Sequence, residues 1–422
     1  MSKSSNRKRK KEARGGTDSR AGHAWQFATR AAHVGSKVDL SAGTPTSTPI
    51  VASSAFEQPG AAAIDEVFGG DRRGYVYGRY HNPTVDALER AIADLEGSEA
   101  TVAYSSGMAA IAGAFAALDL PRGAKVMAAR DLYGTTIAWL EDAASKNDWE
   151  LVYVDCSDRP FATSAIRKEK PAVVYAETLS NPLVRVVDLD ALGPACRDTG
   201  VALVVDATFT PPSLLRPLEH NAALVLHSAT KYLGGHGDLI GGVLSGSADL
   251  IECARARRRL DGTIVDPFTA WLILRGLRTL SLRVVRQCAN ARLVAAHLNT
   301  HHQIEKVHYP GLGHRDTPRE KQLLERLFPH GDYGAMLAFE ISHATASTPR
   351  LFLDALQLWG RATTLGDLGS QALVPVMTSH RHLAPERRDY MGITDGLVRL
   401  SVGIEDAADL IEDLDQALAA CD

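Results

Sequence analysis

Cysteine is scarce and scattered: Cys156, Cys196, Cys253, Cys288 and Cys421 are spread over 422 positions, and no two form a C-x-x-C pair. An odd, unpaired set excludes a disulfide framework, and the missing ligand spacing argues against a zinc site. Free thiols in a reducing compartment are the expectation, and with them a cytoplasmic address. Long apolar runs are also missing. Ala109–Leu118 and Val201–Val205 have the length of core segments, well short of the roughly 18 residues of a membrane span. No apolar stretch follows the basic N-terminal residues, as a signal peptide would require. Net positive charge is missing from the body. Residues 1–20 carry Lys3, Arg7, Lys8, Arg9, Lys10, Lys11, Arg14 and Arg20 against Glu12 and Asp18, yet the whole chain sums to −4. The remainder is therefore acidic, which makes it a poor partner for nucleic acid. Segment 1–22 reads as a solvated, disordered basic tail; such a tail can also serve as an address or touch nucleic acid.

What remains is a soluble globular composition, 45% hydrophobic and 23% charged, long enough for two or three domains. There is no internal repeat. Residues 23–75 mix short apolar pieces with turn formers and show no core of their own, as in an arm that lies over another surface. From Asn82 the pattern becomes regular. Asn82-Pro83-Thr84 supplies a helix start, and Val85, Leu88, Ile92 and Leu95 recur on one face up to Gly97. Strand-like runs follow at Ala100–Tyr104, Ala124–Ala128, Glu150–Val154, Ala172–Ala176, Val201–Val205, Ala223–Leu226 and Ile240–Leu244. Helical stretches such as Met108–Leu118, Thr136–Ser145 and Leu189–Thr199 separate many of them. Strands rich in Val, Ala and Leu, alternating with helices, predict an α/β fold with a mostly parallel central sheet covered on both faces. A long helical stretch over Pro267–Leu298 leads to a smaller C-terminal α+β domain with strands at Ala335–Ile341 and Leu397–Val402 and a helix at Ala407–Ala419.

Ligands of open α/β sheets bind beyond the carboxyl ends of the strands. The residues expected there are Ser105-Ser106-Gly107-Met108, Tyr133, Glu177 with Asn181-Pro182, Asp206, and Ser228-Ala229-Thr230-Lys231. Ser106-Gly107-Met108 opens a helix, whose free amides favour an anion. Ser228 and Thr230 offer hydroxyls toward the same anion. Asp206 ends a buried run and needs a cationic or hydrogen-bonding partner. A pyridinium nitrogen would be one, and a structural ion pair another. Tyr133 could stack on a flat ring or pack as a core tyrosine. Lys231 suits Schiff-base chemistry, because a flexible amine shifts its pKa readily when buried. Each feature alone has a commonplace explanation: a helix cap, a strand exit, a surface lysine. Their joint position after successive strands is the signal.

The sequence resembles the cystathionine γ-synthase/cystathionine γ-lyase/methionine γ-lyase family, the Cys/Met-metabolism enzymes with the aspartate-aminotransferase fold (fold type I). The resemblance runs from about Thr29 to the C-terminus. It rests on Tyr77-Gly78-Arg79 with Asn82-Pro83-Thr84, Ser105-Ser106-Gly107-Met108 and Glu177-Thr178-Leu179-Ser180-Asn181-Pro182. It continues through Ser228-Ala229-Thr230-Lys231-Tyr232, Gly235-His236-Gly237-Asp238, Arg275-Gly276-Leu277-Arg278-Thr279-Leu280 and Arg399-Leu400-Ser401-Val402-Gly403-Ile404-Glu405-Asp406. The resemblance implies pyridoxal 5′-phosphate as cofactor and no metal. It implies that Lys231 carries the cofactor, Asp206 holds the ring nitrogen, and Tyr133 stacks on the ring. Ser106, Gly107, Met108, Ser228 and Thr230 would cradle the phosphate. Tyr77 and Arg79 would reach the phosphate of the neighbouring subunit, making a dimer the minimum working unit and a tetramer the expected assembly. Asn181, Thr364 and Arg399 would face the substrate, with Arg399 clamping its α-carboxylate. The domains would be an arm at 23–75 touching the neighbouring subunit, a cofactor-binding domain at 76–285 and a C-terminal domain at 286–422.

The implied reaction is γ-elimination from a γ-substituted L-amino acid, giving a 2-oxo acid and ammonia. Lys231 would move protons and Tyr133 would act as general acid. γ-Replacement of the synthase or sulfhydrylase type is the alternative, as is a related reaction on a non-sulfur substrate. Transamination and a non-catalytic role are further classes, separated by the form in which the cofactor accumulates and by the presence of turnover. The chain departs from the family where Ala207 follows Asp206, where Gly78 separates Tyr77 from Arg79, and where Thr135 follows the Tyr133 turn. It departs again in Thr364-Leu365-Gly366-Asp367-Leu368-Gly369-Ser370-Gln371, where the family usually has a glutamate at the position of Gly369.

Overall fold

The computed structural model describes residues 25–35, 43–312, 317–345 and 347–421. The basic tail at 1–22 lies outside the described residues. Two short helices, α1 (Phe27–His33) and α2 (Ala61–Phe68), precede the first regular stretch. Then α3 (Pro83–Glu96) starts as its sequence requires: Asn82 Oδ1 accepts from the Thr84 amide at 2.9 Å, and Pro83 occupies the first turn. Gly97 ends it at φ 71°, the left-handed conformation that glycine adopts without a Cβ penalty.

The large sheet is built from β1 (Ala100–Tyr104), β2 (Lys125–Ala129), β3 (Glu150–Val154), β4 (Val173–Glu177), β5 (Ala202–Asp206), β6 (Leu224–Ser228) and β7 (Gly242–Gly246). Its spatial order is β1-β7-β6-β5-β4-β2-β3. All neighbours are parallel except β7, which runs antiparallel to both β1 and β6. The helices α4 (Gly107–Leu118), α5 (Gly134–Asn147), α6 (Arg159–Glu169), α7 (Leu189–Thr199) and α8 (Ala248–Asp261) accompany it. Every residue of β4 is buried, so its continuous apolar run reflects cover on both faces. The expected strands are present, β1 and β3 with the expected ends and the others with ends moved by one or two residues.

The stretch 267–298 is two helices, α9 (Pro267–Leu277) and α10 (Leu280–Leu298), interrupted at Arg278-Thr279. Periodicity alone does not register this break, because both segments present apolar faces inward. The expected domain boundary after residue 285 falls inside α10, and α1 packs against α3 and α10. The second sheet comprises β8 (Ile304–His308), β9 (Met336–Ile341), β10 (Gln371–Leu373) and β11 (Leu397–Ser401), in the antiparallel order β10-β11-β9-β8. Around it lie α11 (Pro318–Leu327), α12 (Thr348–Ala355), α13 (Pro385–Met391) and α14 (Ala407–Ala419). Side chains of α10 hold its loops: Gln287 Nε2 donates to the Asp367 carbonyl at 2.7 Å, and Asn290 Nδ2 to that of Glu405 at 2.8 Å.

Candidate active site

The carboxyl ends of the parallel strands share one rim of the large sheet. Because β7 runs the other way, its first residue, Gly242, reaches the same rim, where a Cβ would collide with the Ser106 carbonyl. Ser106 caps α4 by accepting the Ala109 amide at 3.1 Å. The amides of Gly107 and Met108, at the helix start, have no intrahelical acceptor. A Cβ on Gly107 would lie 2.8 Å from Ser228 Cβ, so the first turn of α4 presses against the exit of β6. Glycine permits that approach, and the result is a cradle of amides and hydroxyls suited to an anion. The Ser228 amide donates to Thr208 Oγ1 at 2.9 Å, and Thr230 Oγ1 exchanges hydrogen bonds with Gly241.

Asp206 and Glu177 end adjacent strands and are register partners. Burial raises the Asp206 carboxyl above its usual range. The hydroxyl and amide of Thr208, the His227 ring and Tyr175 pull it back. Glu177 is pushed well above its usual range by burial and then by Asp206, with the Tyr133 amide as the main opposing influence. Glu177 has the fewer donors to oppose the effect of burial. Glu177 Oε1 accepts the Tyr133 amide at 2.7 Å, which fixes the turn presenting the half-exposed Tyr133 side chain. Lys231, after β6, has its amine pKa lowered by burial and by Arg399, against the pull of Asp367. Its Nζ donates to Thr364 Oγ1 at 3.2 Å. From the small sheet, β11 sends the buried Arg399 to Asn181, Nη1 to Oδ1 at 3.1 Å, while its Nε is sealed from solvent without a partner. Burial lowers the Arg399 pKa to about 10.

The match to the family model for Cys/Met metabolism PLP-dependent enzymes covers residues 28–419. The chain belongs to this family. It is 39% identical over 396 residues to the L-methionine γ-lyase of Pseudomonas putida, covering 93% of this chain and 97% of that one. It is 38% identical to the cystathionine γ-lyase of Bacillus subtilis, with 88% and 94% covered. Cystathionine γ-synthase from Xanthomonas oryzae pv. oryzae, solved with aminoacrylate and cysteine, superposes with a TM-score of 0.87 at 36% identity. That match covers 94% of this chain and 99% of the other.

The cofactor of this Cys/Met-metabolism enzyme is therefore pyridoxal 5′-phosphate, and the residues fit it. The amide cradle suits its phosphate, the buried Asp206 suits its ring nitrogen, and Lys231 suits its aldehyde. Arg79 Nη1 donates to the Arg259 carbonyl at 2.6 Å and its guanidinium sits over the rings of Tyr77 and Tyr80. Three groups near the site were given no role by the sequence. Glu177 was legible only as a polar residue after a strand. His380, 1% exposed, approaches the Leu132 carbonyl through Nε2 at 3.3 Å; burial and Arg399 lower its pKa to about 4. Asp367, 8% exposed, stood in the sequence only as part of the 364–371 loop. Burial raises its carboxyl above the usual range, and Lys231 and the Thr364 hydroxyl oppose the rise. Among the described residues no cluster of His, Cys, Asp and Glu is suited to a metal ion, and no helix is long and apolar enough to cross a membrane.

Proposed function

We propose that this chain catalyses γ-elimination on a γ-substituted L-amino acid, releasing the γ-group, ammonia and a 2-oxo acid. The observation that carries this reading is the meeting of Lys231, Arg399 with Asn181, and Asp206 at one rim. These are an amine to move protons, a fork for a carboxylate and an acid for a ring nitrogen. Pyridoxal phosphate, when bound, supplies an electron-accepting ring joined to the substrate nitrogen. Ser106, Gly107, Met108, Ser228 and Thr230 hold its phosphate, and Asp206 keeps a proton on its ring nitrogen. Lys231 takes the Cα proton and then serves Cβ, while Thr364 and Asn181 bound the substrate space. Arg399 binds the α-carboxylate. Tyr133 covers the ring and donates a proton to the leaving group on Cγ. Tyr77 and Arg79 complete the phosphate site of a neighbouring subunit in a dimer or tetramer.

The γ-substituent is small or weakly polar rather than the aminocarboxyl arm of cystathionine. Gly369 provides no side-chain charge for a distal ammonium, and a Cβ there would sit 3.8 Å from Glu405 Oε1. That carboxylate is already engaged by the Ser370 amide and hydroxyl. γ-Replacement remains the second reading, since it uses the same residues with a nucleophile in place of water. The test has two parts. Borohydride reduction and peptide mapping place the pyridoxyl label on Lys231; a label on another lysine overturns the assignment. A panel of methionine, homocysteine, cystathionine, O-acyl-homoserines and non-sulfur γ-substituted amino acids is then read by product mass. Cystathionine turning over as well as the best of the panel overturns the argument from Gly369.

A further inference from the structure

Lys231 meets a single hydroxyl across the cleft, Thr364 Oγ1 at 3.2 Å. Three residues further on, the Asp367 carboxylate lies against Gly237 and faces the Thr364 hydroxyl, the amine of Lys231 and the guanidinium of Arg283. Its Oδ1 is sealed from solvent without a hydrogen bond. The turn bearing both residues is clamped on three sides. Gln287 holds the Asp367 carbonyl, the Gly366 amide donates to Ser401 Oγ at 2.9 Å, and a Cβ on Gly366, at φ 75°, would lie 2.8 Å from the Tyr232 amide nitrogen. These contacts fix the backbone from which the Asp367 side chain projects.

A threonine hydroxyl can offer Lys231 either a lone pair or a proton. A carboxylate is acceptor only. With the Thr364 hydroxyl among the groups that stabilise the Asp367 carboxylate by hydrogen bonding, the hydroxyl proton goes to the carboxylate and a lone pair is left for Nζ. From β11, Arg399 repels the Lys231 amine. Burying Asp367 without an ion pair is unfavourable unless nearby cations share its field; Lys231 and Arg283 are those cations. We infer that Asp367 is a positioning residue for Lys231, orienting the Thr364 hydroxyl as an acceptor and holding the amine on that side of the cleft. The inference rests on the proposal that Lys231 carries the cofactor, and it adds a residue that acts through Thr364 and Lys231.

The experiment is a pH titration of the visible absorption of the lysine-bound cofactor, in substrate-free holoenzyme of full length. Asp367→Asn and Thr364→Val should each lower the midpoint by about one pH unit, because the protonated nitrogen on Lys231 loses a stabilising neighbour. The double variant should move no further than the larger single change, and Thr364→Ser should stay near the wild type. A merely structural Asp367 would alter thermal stability and leave the midpoint in place. An unmoved midpoint in cofactor-saturated Asp367→Asn, or additive shifts in the double variant, overturns the inference. If Asp367→Asn loses cofactor, Asp367→Glu replaces it. A wild-type midpoint supports the role, and one displaced as in Thr364→Val refutes it. Borohydride labelling separates the two claims: a label off Lys231 defeats the functional proposal, whereas a label on Lys231 with an unmoved midpoint defeats only this inference.

Discussion

Arg399 on β11 donates through Nη1 to Asn181 Oδ1 at 3.1 Å, and this one bond joins the small sheet to the rim of the large one. Both residues are buried, so the bond acts where water cannot substitute for either partner. It orients the guanidinium, whose Nε is sealed from solvent without a partner.

Asn181→Ala should therefore reduce kcat/KM by about 10- to 100-fold, the equivalent of roughly 1.5–3 kcal/mol for a hydrogen bond to a charged group. Arg399→Lys should lose at least as much, since an ammonium cannot reproduce the fork. Steady-state kinetics on the best substrate of the panel measures both. An Asn181→Ala enzyme within two-fold of the wild type would show that Arg399 is oriented by other contacts.

Tyr77 and Arg79 engage Tyr80 and Arg259 in their own chain. If they serve a neighbour, inactive Lys231→Ala and Arg79→Ala chains, unfolded together and refolded as a mixture, should recover part of the activity. Some mixed dimers would then regain one intact site. Activity assays across mixing ratios give the answer. No recovery, with exchange verified by native mass spectrometry, would place the whole site in one chain.

Gly107→Ala should weaken cofactor binding. The new Cβ would stand 2.8 Å from Ser228 Cβ, and relieving the overlap widens the cradle at a cost of about 1–3 kcal/mol. Cofactor affinity, measured by fluorescence titration of resolved enzyme, should fall about 10-fold or more. Gly60→Ala, where nothing lies within 4 Å, is the control and should bind normally.

His380 gives stability a pH dependence whose sign follows from its lowered pKa. In the unfolded chain the ring titrates near 6.5; in the folded protein burial and Arg399 bring this to about 4. Between those values the unfolded state binds more protons, so stability is present above about pH 6.5 and is lost as pH falls toward 4. The full contribution is about 3 kcal/mol. Urea denaturation of His380→Gln between pH 4 and 7 should show a flatter dependence than the wild type. Parallel curves would assign the acid sensitivity to other groups.

Much of this arrangement is dictated locally. Apolar strand runs and intervening helical faces determine that a covered sheet forms, and the Asn82-Pro83 start and Gly97 stop bound α3 without help from the rest of the fold. The position of Ser106-Gly107, Asp206 and Lys231 after successive strands follows from chain order, since parallel strands share a carboxyl-end rim. Tertiary structure alone decided the rest. Local pattern does not reveal that β7 reverses direction and brings Gly242 against Ser106, because its strand propensity is the same in either orientation. Nor does it reveal that Asp206 stands beside Glu177: the register between β4 and β5 sets that pairing, and burial raises both carboxyls. Asp367 and Arg399 lie 136 and 168 positions beyond Lys231 in the chain. Only the packing of the small sheet and α10 against the large domain brings their charges to bear on its amine.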